Sequence, residues 1–93
     1  MDVEGYVSFL EGQGLSSKGV LSRKTKANAV MDIIGKDLDY IVADDEEMYK
    51  AIIELQKIDV PVHAPRQNAL RKYYAFKNGH EFPKVSEYEK CRK

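Results

Sequence analysis

The chain has no tryptophan, a single cysteine, two histidines and no apolar run approaching the roughly 18 residues that span a bilayer. Each shortage excludes something. Cys91 has no second thiol to close a disulfide or share a metal, so the expectation is an exposed free thiol with no role. Met1-Asp2-Val3-Glu4 lacks the basic start and apolar stretch of a secretory signal. With no bilayer-length run either, the sequence leads to a cytoplasmic protein with no membrane partner. Period-two alternation of the kind that marks strands is missing, as are repeats and low-complexity tracts, which leaves an all-α reading.

Reactive side chains are equally scarce. His63 stands between Val62 and Ala64 in a proline-bounded loop and His80 follows a helix-capping glycine, positions that read as solvated loop. Catalysis would need a cleft gathering His63 with a carboxylate such as Asp59, and no motif calls for one. The expectation is no enzyme activity and no catalytic residue. The cluster Asp44, Asp45, Glu46 and Glu47 lacks the alternating ligands and central glycine of a calcium loop, and it reads instead as the charged start of a helix. No metal or cofactor is expected.

What the sequence does contain is enough apolar material for one modest core. At 93 residues with 43% hydrophobic and 32% charged side chains, it suits a single folded unit and is unlike a disordered tail. The formal net charge of zero conceals a sharp segregation. Residues 16–30 hold Lys18, Arg23, Lys24 and Lys26 with no acid, and residues 60–79 hold Arg66, Arg71, Lys72 and Lys77 with no acid. Between them, residues 37–59 carry eight acids against Lys50 and Lys57. If the two basic segments pack side by side, the molecule has one basic face.

Helical periodicity organises the chain. Val3, Tyr6, Val7 and Leu10 follow amphipathic spacing, and Gly12 and Gly14 end that first helix. Ser16 or Ser17 can cap a second helix from about Ser17 to Ile34, with Val20, Ala27, Val30, Met31 and Ile34 inward and Lys18, Ser22, Lys26 and Ala29 outward. Asp37 to Val42 forms a connector, able to make one helical turn, whose Leu38, Ile41 and Val42 belong to the core. Asp44 with Glu47 resembles a capping box opening a third helix with the stripe Met48, Ala51, Ile52 and Leu55, ended before Pro61. Pro65 and Gly79 bracket a fourth helix, in which Ala69, Leu70, Tyr73, Tyr74 and Phe76 lie opposite Gln67, Asn68, Arg71 and Lys72. Tyr73 and Tyr74 are therefore core residues rather than base-stacking platforms. Phe82, Pro83 and Tyr88 lie in a tail that can pack back or form a short helix.

Several stretches together resemble the SAM-like core-binding domain of tyrosine recombinases, the phage integrases. They are Tyr6-Val7-Ser8-Phe9-Leu10, Gly14-Leu15-Ser16-Ser17, Asp37-Leu38-Asp39 and Asn68-Ala69-Leu70-Arg71-Lys72-Tyr73-Tyr74-Ala75-Phe76. The resemblance implies a compact orthogonal four-helix bundle over residues 1–79, with residues 80–93 as a C-terminal tail. It also implies a DNA-binding module, either a recombinase domain or a stand-alone relative from a mobile element, that clamps duplex DNA with its second and fourth helices. By that likeness Lys18, Ser22, Lys26, Arg66, Gln67, Arg71 and Lys72 lie near DNA phosphates. The family's catalytic domain has no counterpart in these 93 residues, so strand cleavage is not implied, and Val20 stands where the family usually has threonine. The alternative is a small protein-interaction or inhibitor module that reuses the same helical fold, docking through the acidic helix at 44–54 or the basic side.

Overall fold

The computed structural model describes residues 1–59 and 64–91, and among these the chain forms six helices and no strand. They are α1 (Val3–Gly12), α2 (Ser17–Ile34), α3 (Leu38–Val42), α4 (Asp45–Gln56), α5 (Pro65–Asn78) and α6 (Val85–Cys91). The four helices expected from periodicity are α1, α2, α4 and α5. The connector at 37–42 is the short α3, and the tail adds α6.

The helix starts are set by side-chain caps. Asp2 accepts from the Gly5 amide at 3.0 Å, Ser16 from Gly19 at 3.2 Å, and Asp37 from Asp39 at 2.9 Å. Asp44 accepts from the Glu46 and Glu47 amides at 2.8 and 3.4 Å, but Glu47 does not return the bond, because its carboxylate goes to Lys36 at 2.5 Å and Lys50 at 3.6 Å. Only half of the expected capping box forms. Gly35 and Gly79 end α2 and α5 at φ of 79° and 77°, where a side chain would be strained.

The core is built by the stripes those helices carry. Tyr6 and Leu10 of α1, Val20, Ala27 and Val30 of α2, and Leu38, Ile41 and Val42 of α3 are buried. So are Met48, Ala51, Ile52 and Leu55 of α4 and Ala69, Leu70, Tyr73 and Tyr74 of α5. The expected inward residues Met31, Ile34 and Phe76 are only partly covered. α2 packs on α5 in the most extensive helix pairing, with α1 packed on both and α3 bridging α4 and α5. Tyr6 locks this centre, since its hydroxyl donates to the Ala69 carbonyl at 2.8 Å and its ring meets Tyr73 edge-on at 5.1 Å. Phe82 joins the core from the tail, meeting Tyr74 edge-on and Tyr88 at a tilt, with ring centroids 5.2 Å apart in each case. No helix among the described residues is long and apolar enough to cross a membrane.

Candidate nucleic-acid interface

α2 and α5 pack on each other, so the helices that carry the two sets of cations are neighbours in space. They are not equivalent. On α2, Lys18 and Ser22 are exposed on the side away from Val20 and Ala27, and Lys26 is half-buried at the border of that face beside Val30. Lys18, Lys24 and Lys26 have no ion pair among the described residues, so their ammonium groups remain available. Arg23, part of the same run in sequence, turns inward. Its Nε is buried without a hydrogen-bond partner, and its charge bears on the Tyr6 hydroxyl.

Every cation of α5 is held by a neighbour. The buried Asp59 carboxylate accepts from the Arg66 amide and Nη1 at 3.3 and 3.1 Å, and from the Gln67 amide and Nε2 at 2.9 and 3.3 Å. Arg71 Nη1 donates to the Phe82 and Pro83 carbonyls at 3.0 and 3.2 Å, with the guanidinium over the Phe82 ring. Burial lowers the Arg71 pKa, against which Glu81 acts in the opposite sense. Lys72 donates to Gln13 Oε1 at 2.8 Å on the surface, and Lys77 pairs with Asp39 at 3.6 Å.

The sequence-expected set therefore divides. Lys18, Ser22 and Lys26 lie on one helix with free donors, and Lys72 is on the surface in an exchangeable contact. Arg66 and Gln67 are committed to Asp59, and Arg71 to the chain entering α6. Gln13, Asn68, Arg71, Lys72 and Phe82 line a small cleft of about 200 Å³. Lys72 on its wall can donate to an anionic oxygen by exchanging its Gln13 contact, whereas Glu81 on the same wall opposes a second negative charge.

Sequence reasoning named Asp59 only as a carboxylate that a catalytic cleft could gather with His63 and missed that it caps α5 in place of Ala64, a residue with no side-chain oxygen. The signal was an acid a few residues ahead of Pro65, legible only once chain folding brings residue 59 back to residue 67. Of the two histidines, His80 lies exposed against the Tyr74 ring, and the reading of His63 falls outside the described residues. No group of three His, Cys, Asp or Glu side chains is placed to hold a metal among the described residues, and Cys91 is free and exposed. No protein-family model, curated protein or solved structure matches this chain.

Proposed function

We propose that this helical domain contacts duplex DNA through its phosphates, as a module of the SAM-like core-binding type that its sequence resembles, without cleaving strands itself. The observation that carries the reading is the unpaired lysine set of α2. Lys18, Lys24 and Lys26 have no ion pair among the described residues, whereas on α5 Arg66 and Lys77 are paired with Asp59 and Asp39 and Arg71 and Lys72 are held by neutral oxygens. Lysine ammonium groups beside a serine hydroxyl suit phosphate oxygens, which fix register on a duplex and carry no sequence information themselves.

The contact belongs first to Lys18, Ser22 and Lys26. Lys72 joins by exchanging Gln13 for a phosphate, a low-cost substitution at an exposed site. Arg71 stands at the cleft edge, while Arg66 and Gln67 support α5 rather than touch DNA.

The test is fluorescence anisotropy of a labelled duplex across a salt series. Neutralising about three phosphates gives log K against log salt a slope of about −2.7. Lys18→Glu with Lys26→Glu weakens binding by an order of magnitude or more and flattens that slope, whereas Arg66→Gln changes affinity little. Unchanged affinity in the Lys18/Lys26 double variant overturns the reading.

A further inference from the structure

The outer face of α4 carries a pattern that the phosphate reading does not use. Glu47, Lys50, Glu54 and Lys57 are spaced by three, four and three residues, which places them along one side of the helix and its C-terminal cap over about 15 Å. Lys50, Glu54 and Lys57 have side chains 64%, 58% and 66% exposed, and Glu47 is more covered, held by Lys36 as well as Lys50. The signs alternate, and the row is symmetric about position 52 with every sign inverted. Position 47 mirrors 57 and position 50 mirrors 54, so an antiparallel copy of the same helix presents the opposite charge at each place.

Beside this row, α2 and α4 enclose an open groove of about 510 Å³. Ile33, Ile34 and Ile53 are among its apolar walls, Lys50 and Glu54 lie on its edge, and Ile33 is 40% exposed. We propose that this face is the site of a twofold dimer, in which α4 of one copy lies antiparallel to α4 of the other. Glu47 then faces Lys57 of the partner subunit and Lys50 faces Glu54 of the partner subunit, with the isoleucines of the groove covered between them.

Charge complementarity selects the occupant. A twofold interface uses the same patch twice, so it requires a surface complementary to its own reversed image, and this row meets that requirement at all four positions. An unrelated partner would have to supply the alternating pattern independently. The zero net charge of the chain adds no overall repulsion between copies. Within one copy, Glu54 pairs with Lys57 at 3.3 Å and Glu47 with Lys50 at 3.6 Å. The Glu54–Lys57 pair is exposed on both sides, contributes little and exchanges readily for partners across an interface, while Glu47, held by Lys36 through Oε1 at 2.5 Å, offers a partner the Oε2 that it shares loosely with Lys50.

The decisive experiment is sedimentation over a concentration series, with complementary charge variants mixed. Lys50→Glu alone and Glu54→Lys alone each set like charges opposite one another and weaken self-association about tenfold. Mixing the two single variants restores association as a heterodimer. The introduced carboxylate at position 50 of one chain then meets the introduced ammonium at position 54 of the other, and the reciprocal pair keeps its native charges. Native mass spectrometry of isotopically distinct chains identifies that species, and thermal melts check that both variants stay folded. Ile33→Glu, at an exposed position, also weakens the dimer. A wild-type chain that sediments as a monomer at every concentration overturns the proposal, as does a mixture that shows no preference for the heterodimer. None of these changes touches Lys18, Ser22 or Lys26, so dimer failure and loss of DNA binding are separately visible.

Discussion

The Tyr73 hydroxyl donates to the Asp39 carboxylate across 34 residues of sequence, and the same oxygen accepts the Asp2 amide at 2.8 Å. One side chain thus joins the start of α1, the body of α5 and the first turn of α3. That hydrogen bond is the main reason the Asp39 carboxyl sits below the usual carboxylate range, with Lys77 acting in the same direction. Tyr73→Phe leaves the ring in place but strands the Asp2 amide and one carboxylate lone pair. A loss of about 1–2 kcal/mol in urea unfolding follows. NMR titration of Asp39 provides the specific check, since its pKa climbs back toward the ordinary value in the variant. An unmoved Asp39 would show that the hydroxyl does not set that ionisation.

A second prediction concerns the join between α4 and α5. Asp59 is buried, receives four hydrogen bonds from Arg66 and Gln67, and supplies the cap that Ala64 cannot. Ala64 itself sits at φ 39°, a conformation unfavourable for any residue with a side chain. Asp59→Ala removes the cap and leaves the Arg66 guanidinium without its partner, at a cost of about 3 kcal/mol. Arg66→Ala costs less, since Asp59 keeps both backbone amides. Hydrogen exchange localises the effect: the Arg66 and Gln67 amides lose protection in Asp59→Ala. Equal destabilisation by both substitutions would contradict the capping role.

These two examples also show what could be read before folding. Helix positions were legible because each helix carries its own stripe and terminators, as in the Ser16 cap, the Gly35 and Gly79 ends, and Pro65 at the start of α5. The burial of Tyr73 and Tyr74 followed from the same periodicity. What stayed hidden depends on contacts distant in sequence. Arg66 and Arg71 count as surface charge in a linear reading, yet one is held by Asp59 and the other by the Phe82 and Pro83 carbonyls. Arg23 belongs to a basic run, but its Nε is buried and its charge bears on the Tyr6 hydroxyl. A charge census along the chain gives the sign of a segment, and only tertiary packing decides which of its ammonium and guanidinium groups remain for a ligand.

The tyrosines make the fold sensitive to alkali. Burial is the leading cause that raises the Tyr6, Tyr73 and Tyr74 hydroxyls above their ordinary value of 10.0, and Tyr74, whose hydroxyl donates to Asp45 at 2.7 Å, is pushed up to about 12. A folded-state pKa raised above the unfolded one means that the unfolded chain releases its proton first as pH rises. The stabilisation is therefore complete below pH 10 and is lost as pH climbs through the folded-state values. For Tyr74 the loss is on the order of 2–3 kcal/mol by pH 12, with Tyr6 and Tyr73 adding to it. The midpoint of thermal unfolding should stay nearly level from neutrality to about pH 9.5 as far as these groups are concerned, then fall steeply. The part of the tyrosinate absorbance that belongs to Tyr6, Tyr73 and Tyr74, read by difference against their phenylalanine variants, should appear together with the loss of helical circular dichroism rather than ahead of it. Tyr74→Phe trades the Asp45 hydrogen bond for insensitivity at that position, so its stability is lower near neutrality and its alkaline fall is shallower. An alkaline profile identical to that of the wild type would show that Tyr74 ionisation is not coupled to unfolding.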